Sequence, residues 1–230
     1  MNRDYDRFSE FTWSVYNIYM KNGTLVPSHV SKILKKKLFR YLKGIDIIEN
    51  DAFKKEISQI TSKLLKFNEI AKEELLSKLP KEYCTNLTDY NSVIMGIPNN
   101  IDSDLDFTIG VKTLEEQQII GNILESIGYK LTNIYEDNIP SDIKWYDYMK
   151  HNNEGVEIEV KVRWEPIVNK ILIAHYGIMD KLTSEQKLKI SFIKSVLATG
   201  DKKTYKTFKY ILYGAMFDGH KNTIIFRHDE

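Results

Sequence analysis

The chain has 230 residues and a formal net charge of +1, because 33 Lys and Arg residues balance 32 Asp and Glu residues. This balance excludes a globally basic nucleic-acid coat protein and an acidic tail. Cys84 is the single cysteine, which excludes a disulfide framework and a thiolate zinc site. The sequence has no apolar run approaching the roughly 18 to 20 residues of a membrane span, and we expect a cytoplasmic protein without membrane contact.

Apolar residues recur at helical spacing through the first part of the chain, which predicts an N-terminal helical region over residues 1–87. The predicted helices lie within 8–19, from Ser28 to a stop at Gly44, and from Asp51 onward. This region is rich in lysine and contains no catalytic constellation, so its predicted role is packing or the presentation of substrate.

The pattern changes near residue 90, where short apolar and alternating runs predict strands. A run over 92–97, interrupted by Gly96, predicts the first strand, and Pro98 begins a turn. Thr113 caps a predicted helix that ends at Gly128. The other predicted strands cover the Asp-rich run near 105, then 129–135, 145–149 and 156–163. Together these elements predict a small mixed β-sheet in a core domain over 88–165.

The last third of the sequence returns to a helical pattern, which predicts a C-terminal helical region over 166–230. Thr183 and Gln186 form a capping box for a helix that extends to about Ala198. A second helix over 202–216 and an edge strand over 223–226 are predicted after it. The predicted fold class is therefore α+β, with a small mixed sheet flanked by helical segments on both sides.

Two acidic residues one position apart, Asp104 and Asp106, alternate with the apolar residues Leu105 and Phe107. On a strand this alternation turns the apolar side chains toward a core and both carboxylates toward the opposite face. Carboxylate oxygens are hard ligands of the kind that hold Mg²⁺ or Mn²⁺, so the pair predicts a metal site. A pair of ordinary exposed strand residues would give the same pattern, and the pair alone leaves that alternative open.

The strand predicted over 156–163 shows the same alternation, with four β-branched residues on one face. The other face carries Glu157, Glu159, Lys161 and Arg163. If the two acidic strands are neighbours, three or four carboxylates converge, and acids held so closely repel each other unless a cation is present. Either glutamate could complete the metal site, although we favour Glu159. The two basic side chains could bind phosphate oxygens.

The segment from about 88 to 165 resembles the nucleotidyltransferase superfamily typified by DNA polymerase β. The signature of that family is a strand ending in Gly-Ser or Gly-Gly, a loop, an Asp-x-Asp strand, and a third acid on a later strand. Met95-Gly96 is similar to the glycine step, and Asp104 and Asp106 are similar to the metal pair. Glu159 or Glu157 resembles the third acid.

The resemblance implies an enzyme that binds ATP or another nucleoside triphosphate through Mg²⁺, or Mn²⁺, and transfers the nucleoside monophosphate with release of pyrophosphate. The acceptor would be a hydroxyl of RNA or tRNA, of a protein or of a small molecule. A third acid beside the aspartate pair would complete a two-metal arrangement. Family members often add a helical segment that contacts the nucleotide. The predicted nucleotide-binding residues are Gly96, Ser103, Lys161, Arg163, Lys187, Lys194 and Tyr205.

Departures from the family pattern favour other functions. Ile97 stands where the family usually has Ser or Gly, and the eight positions from Gly96 to Asp104 are fewer than usual. A non-catalytic nucleotide- or nucleic-acid-binding or regulatory protein with the same fold is one alternative. An alarmone-synthetase-like pyrophosphokinase is another, because the motif over 159–163 resembles the Glu-x-Gln-x-Arg strand of those enzymes. In a third, the basic C-terminal helices cover the acidic strand face as an internal salt-bridge layer, and Lys or Arg side chains fill the space between Asp104 and Glu159.

Overall fold

A computed structural model of the protein describes residues 28–44, 51–89, 91–99, 103–135, 143–166, 168, 182–199, 205 and 208. The chain forms two compact units, one built from 1–54 with 173–230 and the other from 55–172. The elements predicted within 8–19 and 223–226, the loop predicted at 138–142, and most of the helix predicted over 202–216 lie outside the described residues.

The helices of the described ranges largely begin and end where their capping residues predict. They are α1 Ser28–Gly44, α2 Asp51–Lys78, α3 Lys81–Cys84, α4 Leu114–Ser126 and α5 Ser184–Ala198. The side chain of Thr113 accepts a hydrogen bond from the backbone of Glu116, and Thr183 and Gln186 form the predicted reciprocal capping box. No helix in these ranges combines the length and the apolar character needed to cross a membrane.

In the first unit, α1 and α5 are in contact. Leu38 and Leu42 of α1 and Ile190 of α5 are buried. The ring of Phe192 on α5 meets the ring of Phe53 edge to face, with the two centroids 5.2 Å apart. These contacts give the described helices of this unit an apolar core.

The second unit contains a five-stranded sheet whose strand order is β1-β2-β5-β4-β3. The strands are β1 Leu87–Thr88, β2 Leu105–Val111, β3 Lys130–Tyr135, β4 Trp145–His151 and β5 Glu157–Trp164. Within this sheet β2 and β5 are parallel, whereas the pairings of β1 with β2, β4 with β5 and β3 with β4 are antiparallel. A mixed sheet with several helices confirms the α+β fold class.

One face of the sheet packs against helices. Leu75 of α2 and Ile120 of α4 belong to the same buried cluster as Phe107 of β2 and Val160 of β5. Full burial of a side chain of this size stabilises the fold by about 1.5 to 3 kcal/mol. Because side chains alternate along a strand, this packing directs the intervening polar side chains of β2 and β5 to the other face of the sheet.

The strand predicted over 92–97 is wrong, because these residues form a helical turn. The side-chain oxygen of Asn91 accepts hydrogen bonds from the backbone N–H groups of Val93 and Ile94. Gly96, whose φ is 73°, ends the turn, and the backbone N–H of Ile97 donates to the carbonyl of Ser92 over 2.8 Å. This is a side-chain cap followed by a Schellman motif, and Gly96 supplies the left-handed residue that the motif needs rather than a break in a strand.

Candidate metal centre

Three carboxylates converge on the polar face of the sheet. The parallel register places Asp106 of β2 opposite Glu159 of β5, and Asp104 lies just before β2. One ligand oxygen from each of Asp104, Asp106 and Glu159 lies within 4.8 Å of the other two. The predicted convergence of the acidic strands is therefore confirmed, and Glu159 rather than Glu157 is the glutamate in this group.

Lys161 contributes a cation to the same cluster. Its Nζ lies 2.5 Å from Oδ1 of Asp106 and 2.8 Å from Oε2 of Glu159. The side chains of Asp106, Glu159 and Lys161 retain 26%, 15% and 31% of their exposure, so the cluster is partly withdrawn from solvent but not sealed. This lysine comes from β5 itself, two positions after Glu159, and lies on the same face because strand side chains alternate.

Burial raises the pKa of the Glu159 carboxyl to about 7. The ammonium of Lys161 opposes this rise, whereas the hydrogen bond and the charge of Asp106 add to it. Burial also works against the charged form of Lys161, but the carboxylates of Asp106 and Glu159 outweigh it and raise the pKa of the ammonium above its usual value. At neutral pH the lysine is therefore charged, and Glu159 is poised between its two protonation states.

Ser103 is hydrogen-bonded to the backbone of Asn99 just before the carboxylate pair. The backbone N–H of Asn99 donates to Oγ of Ser103 over 2.8 Å, and the same hydroxyl donates to the carbonyl of Asn99 over 3.2 Å. Ser103 therefore fixes the chain one residue before Asp104. Its predicted contact with nucleotide, like that of Gly96, stays a prediction. Ile97 is buried, at 1% exposure, and packs into the protein.

A buried network of amide side chains, which sequence reasoning missed, is hydrogen-bonded to the backbone of β2. Nδ2 of Asn91 donates to Oδ1 of Asn68 on α2 over 2.7 Å and reaches the backbone carbonyl of Asp106 at 3.3 Å. Asn68 in turn donates to Asp89 over 3.1 Å, and Lys72 bonds the same carboxylate oxygen at 3.0 Å. The network ties α2 and the 91–97 turn to the strand that carries Asp106. Asn91 immediately before an apolar run is the sequence signal that indicates such a cap.

Arg163 follows Lys161 on the polar face but binds a different acid. Its guanidinium bonds the carboxylate of Asp147 on β4, donates to the carbonyl of Tyr146 over 2.9 Å, and lies 4.9 Å from the centroid of the Trp145 ring. Both Arg163 and Asp147 are buried. The phosphate-binding role of Arg163 stays a prediction, and a phosphate at this position would have to compete with Asp147, an acid that the sequence patterns did not single out.

Four further predicted site residues are not members of the three-carboxylate group. Glu157 is on β5, and its carboxylate oxygen is 3.9 Å from Nε2 of His151, apart from the three-carboxylate group. Lys187 and Lys194 are on α5, where Lys194 is buried, and Tyr205 is half-buried. These last three residues belong to the first unit, and their predicted contacts with nucleotide stay predictions.

No protein-family model matches the chain. No curated protein matches it either. Among solved structures, the chain is similar to that of a cytoplasmic RNA terminal U-transferase, with 15% sequence identity and a TM-score of 0.34. The aligned part covers 71% of this chain and 44% of the transferase chain, so this chain spans less than half the length of that protein. A TM-score of this size establishes neither a shared family nor a shared activity.

Proposed function

We propose that the protein is a Mg²⁺-dependent nucleotidyltransferase. It would move a nucleoside monophosphate from a nucleoside triphosphate to an acceptor hydroxyl, whose oxygen bonds the α-phosphorus while the bond from that phosphorus to the pyrophosphate oxygen breaks. The observation that carries the proposal is the convergence of the carboxylates of Asp104, Asp106 and Glu159 from two adjacent parallel strands. The resemblance of residues 88–165 to the polymerase β superfamily names the reaction class.

The donor set fits the cation. Three carboxylates supply the hard oxygen ligands that Mg²⁺ and Mn²⁺ prefer, and their ligand oxygens lie within 4.8 Å of one another. A bound divalent cation would neutralise the triphosphate and the developing charge of the pyrophosphate. Asp104 and Asp106 would hold that cation, with Glu159 as the third acid beside them. The hydrogen bond between Asn99 and Ser103 and the bond from Asn91 to the Asp106 carbonyl keep the aspartate pair in position.

The nucleotide is held, in this proposal, by side chains around the carboxylates. Lys161 already faces anionic oxygens, and its ammonium suits phosphate oxygens as well. Gly96 and Ser103 lie on the chain that leads into Asp104, where backbone groups could approach the triphosphate. Lys187, Lys194 and Tyr205 are proposed to add contacts from the helical region. The acceptor stays one of three classes, namely RNA or tRNA, a protein, or a small molecule.

The experiment compares the intact protein with the double variant Asp104→Asn/Asp106→Asn. Each of the four α-labelled nucleoside triphosphates is incubated with Mg²⁺ and with RNA, protein or small-molecule acceptors, and transferred label is measured. We expect the double variant to lose transfer by at least about 10²-fold, because a neutral amide binds Mg²⁺ far more weakly than a carboxylate. Glu154→Gln is the control, since Glu154 pairs with Lys63 at an exposed position away from the cluster. Full activity in the double variant would reject the mechanism.

A second candidate is a non-catalytic protein that keeps the fold. The ion pairs of Lys161 with Asp106 and Glu159 favour it, because a lysine can satisfy these acids without metal. The buried Ile97 in place of a small polar residue points the same way. Calorimetry with Mg²⁺ and each triphosphate separates the candidates. Absence of metal-dependent binding by the intact protein supports the non-catalytic one, and metal-dependent triphosphate binding supports the enzyme.

A further inference from the structure

The strongest unassigned feature of the site is the position of the Lys161 ammonium between two of the three carboxylates. It bonds Oδ1 of Asp106 at 2.5 Å and Oε2 of Glu159 at 2.8 Å. Both are short, charge-assisted hydrogen bonds. Lys161 is therefore a cation bound by the acidic cluster, and it lies on the same strand as Glu159.

The same two acids are those that a second divalent cation would need. A cation that bridged Asp106 and Glu159 would lie about 2.0 to 2.1 Å from an oxygen of each, in the space that the ammonium takes. Both cations cannot bind these oxygens at once, because they would overlap and their charges would repel. The ion pairs of Lys161 are those with Asp106 and Glu159. Asp104 stands just before β2 and, with Asp106, offers a pair of carboxylates that could hold one divalent cation.

The charges of the cluster agree with this arrangement. The three carboxylates and one ammonium sum to −2 when all four groups are ionised. One divalent cation neutralises that charge, whereas two would leave the cluster positive before any triphosphate binds. Removal of the lysine would leave a charge of −3, and acids this close need cations to offset their repulsion.

We propose that Lys161 is a permanent cation of the site that replaces one of the two metal ions, so that the intact protein binds one divalent cation, held by Asp104 and Asp106. The proposal rests on the proposed function in one respect, which is that these carboxylates bind metal. It departs from the two-metal arrangement that the sequence resemblance implies. Lys161 is in this view a specificity-determining residue, because it sets how many metal ions the cluster accepts.

The experiment counts bound metal and does not depend on activity. The full-length protein is titrated with Mn²⁺ at pH 8, and free Mn²⁺ is measured by electron paramagnetic resonance. We expect about one bound Mn²⁺ for the intact protein and for Lys161→Arg, which keeps the charge. We expect about two for Lys161→Gln and Lys161→Met, with the first ion bound about ten-fold more tightly because no ammonium competes for Asp106.

Lys150→Met is the matched control. Lys150 is a strand lysine of the same unit that pairs with Glu74 at 2.6 Å, but its register partner is the buried Ile158, so it lies on the helix-packed face. This variant should bind one Mn²⁺ with unchanged affinity. Circular dichroism establishes that each variant is folded.

The possible outcomes separate the two proposals. Two Mn²⁺ ions in the intact protein would overturn the role of Lys161 while leaving the metal site of the proposed function in place, and this measurement needs no variant. One ion with unchanged affinity in both Lys161→Gln and Lys161→Met would also overturn it. No bound Mn²⁺ in the intact protein or in any variant would overturn the metal site itself, and with it the proposed function.

Discussion

Asp106 and Glu159 are direct partners in the parallel register of β2 and β5, and the ammonium of Lys161 bonds both carboxylates. Two acids at opposite positions of neighbouring strands repel each other when both are charged. The lysine offsets part of that repulsion, yet burial and the neighbouring acid still raise the pKa of Glu159 to about 7. The cluster therefore couples the protonation of Glu159 to the stability of the fold.

Glu159→Gln should change the stability of the metal-free protein in a pH-dependent way. The pKa of Glu159 rises from its ordinary 4.5 to about 7 on folding, so the stability that this group contributes is fully present below 4.5 and is lost as the pH rises to 7. A glutamine at this position does not titrate, so the variant does not lose this stability as the pH rises. Urea unfolding with a chelator should therefore show the variant more stable than the intact protein by on the order of 1 to 3 kcal/mol at pH 8, and nearly equal at pH 4.5.

Glu154→Gln is the control for this comparison. Glu154 forms an exposed pair with Lys63, and such pairs contribute about 0 to 1 kcal/mol. Its free energy of unfolding should follow that of the intact protein at both pH values. An equal change for Glu159→Gln at pH 4.5 and pH 8 would contradict the perturbed pKa of this carboxyl.

Mg²⁺ binding should strengthen as the pH rises through 7. Below that pH a neutral Glu159 leaves the Lys161 ammonium to pair with Asp106 alone, and the lysine then competes more strongly for a carboxylate that the metal needs. Calorimetry should find the dissociation constant for Mg²⁺ at pH 5.5 to be at least about three-fold higher than at pH 8. The same titration of Glu159→Gln should be flat over this range, and a flat profile for the intact protein would exclude the coupling.

The acidic strands could be predicted from sequence because their signal is local. Asp104 and Asp106 alternate with core residues, and so do Glu159 and Lys161, which fixes the face of each side chain once the strands exist. The choice between Glu157 and Glu159 could not be made in the same way. Both glutamates point to one side of β5, and only the pairing register, which depends on contacts distant in sequence, decides which one meets Asp106.

The turn over 92–97 and the partner of Arg163 depend on contacts that a local sequence pattern does not indicate. The apolar run over 92–97 fits a buried strand by composition, and the side chain of Asn91 and the left-handed Gly96 decide in favour of a turn. The partner of Arg163 could not be predicted from sequence either. Asp147 lies on β4 among aromatic residues, and only the antiparallel pairing of β4 with β5 brings it next to Arg163.

Asn91→Ala should destabilise the second unit. The substitution removes the cap of the 91–97 turn and the bonds to Asn68 and to the Asp106 carbonyl, which leaves buried polar groups unsatisfied. The expected loss in the free energy of unfolding is roughly 1 to 3 kcal/mol. Asn133→Ala, at an exposed position of β3, is the control and should stay within about 0.5 kcal/mol. Equal stability of the two variants would show that the network is not needed.

Arg163→Met should cost about 3 to 5 kcal/mol of stability, because it leaves the buried carboxylate of Asp147 without its cation. The double variant Arg163→Met/Asp147→Leu should recover part of that loss, since no unpaired charge remains. Lys112→Met is the control, because Lys112 is exposed and pairs with the half-buried Glu165 at 3.5 Å, so no buried charge loses its only cation. A stable single variant with weakened triphosphate binding would instead support the phosphate-binding role predicted for Arg163.

Gly121→Ala tests the packing of α4 against the sheet. A Cβ at this position would overlap the hydroxyl oxygen of Tyr148, and it would lie 3.4 Å from the ring carbon that bears this oxygen. Tyr148 is buried on β4 and has little room to move, so the expected cost is about 1 to 3 kcal/mol. In a Tyr148→Phe background the oxygen is absent, and the same glycine substitution should cost less than half as much. Gly44→Ala, where nothing lies within 4 Å of the added carbon, should be nearly neutral. An equal cost of Gly121→Ala in both backgrounds would show that the hydroxyl of Tyr148 is not the source of the cost.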